Sequence, residues 1–404
     1  MCILCGMSAP ALAQTRRPMT AEDLFRIAGI LWIVILCVCA GRIIARPTRG
    51  SVYATVFSVT GQRWLAGQVI YYKGEYRYSP LVAAMLAPLG ALPLRVGSLI
   101  WLAINAVLFF WGFLYWARVA LPGERPRWMA PAILLLATPI LVGNFANLQS
   151  NAMVLGLMLG SIAATHEKRW NLVALCIVAA TLLKIYPLAL GLVLLVQYPK
   201  HLSWRLLVGL IVSALLPFVL QRPEYVADCY RKWLWVLQND DRSKWGPYLS
   251  YKDAAMLFRA WKHPINPLVY KCIQAAGAGL VGLLALLLRK YPQPQRLMVL
   301  LGSVLLWILI LGPSTESATH MLVAPMLAWM LVESLVAPWP KPMTFLAFAA
   351  YALLVLTDGA LTMPWGRKLV ALGTQPLAEL LVAACFVAWA IRSGAQLASD
   401  EPRP

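Results

Sequence analysis

Residues 170–198 read WNLVALCIVAATLLKIYPLALGLVLLVQY. Two uniformly apolar runs, Trp170–Leu183 and Leu188–Tyr198, are joined by Lys184-Ile185-Tyr186-Pro187. Neither run shows the two-residue alternation of a membrane barrel strand, so both predict helices in an apolar medium. Pro187 interrupts the helix and frees backbone groups beside it. A lysine at that depth costs about 2.5 kcal/mol or more on insertion scales unless a partner or a water-filled cavity receives it. A cation beside broken backbone suits a phosphate or a carboxylate; snorkelling from a helix end to the membrane interface is the plainer reading.

Outward from this stretch the same composition continues. Of 404 residues, 61% are hydrophobic and 13% charged, against about 25% charged in soluble proteins. The expected fold is all-α: a polytopic transmembrane bundle of about twelve helices, each built from an apolar run near spanning length. Apolar runs recur from Leu24 to Ile391, which predicts a single integral membrane domain over residues 1–404. Two long polar and aromatic loops interrupt it, at 46–78 and 221–264. Ser79–Leu92 contains Pro80 and Pro88 and predicts a re-entrant or partial helix.

The net charge is +19. The basic residues lie in short loops between apolar runs, so anionic lipid head groups or a phosphorylated lipid are the expected counter-ions. No nucleic-acid-binding motif is present. Most of the 8 cysteines sit in apolar runs, which excludes a disulfide framework. The Cys2-x-x-Cys5 pair has no second pair to complete a metal site, and no metal cluster or resident cofactor is expected. Ala11-Leu12-Ala13-Gln14 mimics a cleavage site but lacks the basic and apolar regions of a signal peptide, so it is not read as cleaved.

An internal N-terminus puts Arg118, Arg125, Arg127, Lys168, Arg169, Lys200, Arg205, Arg289, Lys290, Arg296 and Lys341 in short inner loops. Segments 46–78, 143–151, 184–187, 221–264 and 312–320 then share the outer side. Chemistry is expected on that extracytoplasmic face of a plasma (inner) membrane. The long outer loops are also basic, against the usual charge rule, which suggests that they need cations for a task.

These residues resemble glycosyltransferase family 87, membrane enzymes of GT-C type. The resemblance runs roughly from Ser51 to Trp329. It rests on Val52-Tyr53 with Trp64-Leu65-Ala66-Gly67, then Tyr78-Ser79-Pro80-Leu81 followed by Trp101 and Asn105. Asn147-Leu148-Gln149-Ser150-Asn151, Lys184-Ile185-Tyr186-Pro187, and His320 ahead of Pro325 complete it. It implies a hexosyltransferase that moves a hexose, first of all mannose, from a polyprenyl phosphate donor to a glycolipid, glycan or protein acceptor outside. The sequence departs from the family pattern in three places. The family's first-loop Asp is replaced by Gly50 and Ser51, the Gly of its Asn-Gly-Gln by Leu148, and the first His of its His-His by Thr319. The missing Asp keeps a catalytically inactive member in view. A transporter or flippase for a lipid-linked or anionic solute is the other alternative, although transporters gather polar groups at the midplane of two related halves.

Transfer from a lipid phosphate needs a base for the acceptor hydroxyl and donors for the leaving phosphate. Glu316 is the first candidate base. It stands four residues before His320, on the same face if a helix has begun, and burial is expected to raise its pKa. Glu75, the one acid of loop 46–78, is the second. Lys184, Arg77, Arg49 and His320 are the candidate phosphate holders. Tyr53, Tyr78, Asn147, Gln149, Asn151 and Tyr186 are the candidate sugar or acceptor contacts.

Overall fold

Helix α1 (Ala21–Ala45) begins at a reciprocal cap. The Thr20 hydroxyl accepts from the Asp23 N–H at 3.2 Å, and the Asp23 carboxylate accepts from the Thr20 N–H at 2.9 Å. In this computed structural model, which describes residues 20–71, 76–122, 125–242, 245–246, 250–336, 339–359 and 364–399, sixteen further helices follow. They are α2 (Ser58–Leu65), α3 (Pro80–Gly90), α4 (Leu94–Val119), α5 (Met129–Ala146), α6 (Asn151–His166), α7 (Trp170–Leu183), α8 (Pro187–Gln197) and α9 (Pro199–Leu220). Then come α10 (Pro223–Asn239), α11 (Ala254–Ala260), α12 (Pro267–Leu287), α13 (Gln293–Leu311), α14 (Ala324–Val336), α15 (Lys341–Gly359), α16 (Pro364–Ala371) and α17 (Thr374–Ser399). No strand occurs among the described residues.

The all-α polytopic bundle is as the sequence predicts, but the count differs. The dozen expected helices are α1, α4 to α9, α12 to α15 and α17, while α2, α3, α10, α11 and α16 add to them in the connecting segments. Among the described residues 8 helical stretches are long and apolar enough to cross a membrane. The apolar helices α3, α6, α7 and α8, and the stretch Lys341–Thr357 of α15, fall short of that length. Segment 221–264 is largely helical, with α10 and α11 inside it, and Ser79–Leu92 forms the short α3. The cysteine pair and Ala-Leu-Ala-Gln of the first nineteen residues lie outside the described residues.

At the centre of the bundle stands α6, buried from Asn151 through Thr165. It packs on α4 with almost no side chain between the backbones. A Cβ added to Gly112 would meet the Gly156 carbonyl oxygen at 1.8 Å. Small residues permit this approach where lipid offers no hydrophobic drive for helix association. Conversely, α9 and α12 turn Leu207, Leu215, Val219, Leu268, Leu280 and Leu287 outward, as lipid-facing helices do.

Helices α7 and α8 form a hairpin. Its open end is pinned by Trp170 against Tyr198, ring centroids 4.9 Å apart. Helix α7 has 14 residues and α8 has 11, about 21 and 16 Å of helix, each short of a hydrocarbon core about 30 Å thick. The apex of the hairpin is Lys184-Ile185-Tyr186.

Candidate active site

At the apex the backbone of Lys184 is extended (φ −152°, ψ 137°), while its N–H still reaches the Ala180 carbonyl at 2.9 Å. Pro187 takes the first position of α8, where an N–H has no intrahelical partner to lose. The apex borders a cavity of about 670 Å³. Four other connections meet it: Arg77 to Ser79 before α3, Gln149 before α6, the end of α10 with Asp240 and Arg242, and Gly312 to Thr319 after α13. One end of the cavity is charged. The remaining walls include Leu182, Leu188, Leu192, Trp307 and Ile308.

The charged end is a chain of ion pairs. Arg77 grips Asp240 with two nitrogens, Nε to Oδ2 at 2.5 Å and Nη2 to Oδ1 at 3.2 Å. Arg242 approaches the same carboxylate, Nε to Oδ1 at 3.2 Å, and reaches on to Glu316 Oε1 through Nη1 at 2.8 Å. Lys184 Nζ lies 3.8 Å from the other Glu316 oxygen and 5.5 Å from the centre of the Tyr78 ring. Burial alone would raise the Glu316 carboxyl. Lys184 and Arg242 outweigh it and hold Glu316 below its ordinary range. The expected upward shift is therefore corrected: cations set this carboxylate, and it is ionised at neutral pH.

The expected Glu316–His320 face is also corrected. Residues Ser317–Val323 form a 3-10 helix, in which i and i+3 align and i+4 turns away by about a third of a turn. Thr319 shares the face with Glu316 and lines the cavity. His320 is fully buried behind it, its Nδ1 3.1 Å from Glu379 Oε1 on α17, and does not line the cavity. Replacing Glu379 by Leu strands the imidazole, with an expected loss of about 1–3 kcal/mol of stability. A thermal melt of Glu379→Leu checks this, and an unchanged midpoint would contradict it.

Of the remaining candidates, Arg77, Tyr78, Gln149 and Tyr186 line the cavity with Lys184 and Glu316, whereas Arg49, Tyr53, Asn147 and Asn151 do not. Tyr53 is buried, its hydroxyl donating to the Leu89 carbonyl at 3.1 Å and its ring lying 5.9 Å from Trp101. Arg49 is exposed. Asn147 serves through its carbonyl, which accepts from the Val52 N–H at 2.9 Å. Asn151 works beneath the floor, where its amide donates to Asn144 Oδ1 at 3.1 Å and to the Ala318 carbonyl at 2.9 Å. Its oxygen lies 3.4 Å from the Tyr186 hydroxyl. These bonds tie the hairpin apex to the segment that carries Glu316. Glu75 lies outside the described residues.

Leu148 has φ +54°, a left-handed conformation that favours glycine. The glycine that the family motif places there has this physical reason, and the leucine is held in place by burial and by Trp101 Nε1, which donates to its carbonyl at 3.1 Å. Sequence reasoning singled out none of Asp240, Arg242, Thr319 and Glu379 as site residues. Nothing local marks these residues, because each gains its role from a partner far along the chain.

The model of glycosyltransferase family 87 matches residues 76–313, more than half of the chain. The chain belongs to glycosyltransferase family 87. Arg77, Lys184, Asp240 and Arg242 fall inside the matched region, and Glu316 lies three residues beyond its end. No curated protein matches this family member. The family and the apolar helices together make the chain an integral membrane glycosyltransferase.

Behind the glycosyltransferase cleft, the segment before α11 is clamped to the loop after α13 by Lys252 N–H on the Thr315 carbonyl at 2.8 Å. The Lys252 ammonium is buried and donates to the Ser250 carbonyl at 2.7 Å. Burial, then Arg259, pushes it down to about 8. The unfolded chain therefore holds this proton up to a higher pH than the folded chain, and stability rises with pH between the two values. Wild type is expected to gain in melting temperature on Lys252→Met between pH 7 and pH 10. A difference that does not change across that range would contradict the assignment.

Proposed function

We propose that the cleft transfers a hexose, mannose by the family resemblance, from a polyprenyl phosphate donor to an acceptor hydroxyl on the extracytoplasmic face of the plasma membrane. The observation that carries this reading is the two-sided cavity. One end holds Arg77, Lys184 and Arg242, and the walls beyond are formed by Leu188, Leu192, Trp307 and Ile308. A lipid-linked sugar phosphate has the same division between a charged head and an apolar tail. Asp240 and Glu316 stand within reach of the cations that would hold the phosphate.

In this reading Lys184 and Arg242 bind the phosphate oxygens and stabilise the charge that develops as the bond from phosphate oxygen to sugar C1 breaks. The acceptor oxygen forms the new bond to C1 as that bond breaks. Its proton passes to Glu316, and polyprenyl phosphate leaves. Tyr78 and Tyr186 offer aromatic surfaces to the sugar, and Gln149 a side-chain amide. The donor is itself the lipid-linked group, so the reaction calls on no resident cofactor. The acceptor is a glycolipid, a glycan or a protein.

Purified protein is incubated with polyprenyl phosphate carrying labelled mannose and with a membrane lipid extract. The expected result is label in an acceptor fraction together with released polyprenyl phosphate. Label that stays entirely on the donor, with acceptors of all three classes present, would contradict the reading. The donor crossing a vesicle membrane unchanged would favour a transporter.

A further inference from the structure

We propose that the two acids of the cleft have opposite duties: Asp240 is the fixed counter-ion that positions Arg77 and Arg242, and Glu316 is a displaceable one whose place on Lys184 and Arg242 the donor phosphate takes. The inference rests on the reading under Proposed function and deepens it, since it assigns a positioning residue and an order of events to the same site.

The asymmetry is geometric. Both oxygens of Asp240 are engaged by guanidinium nitrogens, from Arg77 on one side and Arg242 on the other. Its side chain is 11% exposed, and its backbone carbonyl accepts from the Tyr251 hydroxyl. Helix α10, which Asp240 follows directly, is fixed to the segment before α3 by Trp233 Nε1, which donates to the Arg77 carbonyl at 2.9 Å. Arg242 is in turn flanked by the rings of Tyr251 and Trp245, at 5.5 and 5.7 Å. A planar fork held on both of its edges keeps its direction, and a carboxylate between two such forks is a rigid spacer.

Glu316 is held differently. It makes one short contact with Arg242 at 2.8 Å and a loose one with Lys184 at 3.8 Å, and its side chain is 30% exposed to the cavity. The Thr319 N–H donates to the Glu316 backbone carbonyl at 2.8 Å, and the Glu316 N–H to the Thr319 hydroxyl at 3.4 Å, so the main chain of Glu316 is held without its carboxylate. A phosphate that takes Lys184 and the outer nitrogens of Arg242 leaves Glu316 fixed by its main chain, with its carboxylate still facing the cavity. Freed of its cations, the carboxylate becomes a stronger proton acceptor. The donor thereby prepares its own base, and binding of donor precedes activation of the acceptor hydroxyl. Arg77 stays on Asp240 throughout.

Among the described residues that line the cleft, Arg77, Lys184 and Arg242 face Asp240 and Glu316. One further negative charge, that of a phosphodiester, balances this set. No bond other than those of the transfer itself forms or breaks in the exchange, and the proton that Glu316 later accepts comes from the acceptor hydroxyl.

The test uses the full-length protein in detergent or nanodiscs with polyprenyl phosphate as a non-reacting probe, alongside transfer kinetics with the mannosyl donor. Glu316→Gln removes the internal competitor, and it is expected to bind the probe at least threefold more tightly than wild type while transfer is lost. Asp240→Asn is expected to bind the probe tenfold or more weakly and to raise the donor KM to match, with kcat at saturation kept within threefold. Should Asp240→Asn fail to fold, Arg77→Lys replaces it, because the lysine keeps the charge and loses the two-nitrogen grip on Asp240; the same split between KM and kcat is expected. Weaker binding by Glu316→Gln would overturn the exchange. A loss of kcat without a change in KM in the Asp240→Asn or Arg77→Lys variant would overturn the positioning role. A wild-type protein that neither binds polyprenyl phosphate nor transfers sugar would overturn the reading beneath both.

Discussion

Glu316→Gln is expected to lower kcat by about 10³-fold, within the range typical of a lost general base, or about 4 kcal/mol of barrier. The amide keeps the shape of the side chain and the main-chain bonds to Thr319 do not depend on it, so the fold survives, but the amide cannot take the acceptor proton. The pH profile should carry the same signature. Burial works to raise the Glu316 carboxyl, and Lys184 and Arg242 more than reverse it. Because the shift is downward, the carboxylate stays ionised as the pH falls. The acid limb of kcat/KM, which reports the free enzyme, should lie below the ordinary carboxylate range and vanish in the variant. Steady-state rates from pH 3 to pH 8 measure both effects. Undiminished turnover in Glu316→Gln would move the base to another acid, with Asp240 the next within the cleft.

Lys184→Ala is expected to cost about 10²–10³-fold in kcat/KM, the effect of removing one preorganised donor from developing negative charge. The loss should fall on both KM and kcat, since the ammonium touches the phosphate before and during bond cleavage. The variant also removes one of the two cations beside Glu316, so the acid limb should move upward by comparison with wild type. Kinetics with donor varied at saturating acceptor separate the two parameters. A change of less than threefold would return Lys184 to the plainer reading of a snorkelling side chain.

The lysine was the most legible part of this site. A charge and a proline inside an apolar run can be read without a structure, because each is costly in a spanning helix unless something compensates. Gln149, Tyr78 and Tyr186 were legible for a related reason: they flank proline or glycine-like turns where helices end. The helix count was less so, since α10 and α11 are amphipathic or short, and an interval rich in Trp, Tyr, Lys and Asp looks the same whether it is a loop or a helix lying against the bundle. The turn after Glu316 shows a different limit. Sequence spacing placed His320 on the face of Glu316 only if the segment were α-helical, and its 3-10 geometry gives that face to Thr319 instead. Arg242 and Glu379 were beyond reach altogether. Arg242 acts through Glu316, 74 positions away, and Glu379 through His320, 59 positions away. No pattern along the chain encodes such pairings.

The central claim is that five distant connections build one cleft for the phosphate and the tail of a lipid-linked sugar. A structure determined with bound polyprenyl phosphate tests it most directly. The account predicts phosphate oxygens within about 3–4 Å of Lys184 Nζ and the Arg242 guanidinium, Glu316 turned off both cations, and the isoprenoid chain along Leu188, Leu192 and Trp307. A phosphate seated elsewhere on the protein, with the Lys184–Glu316–Arg242 chain intact, would contradict it.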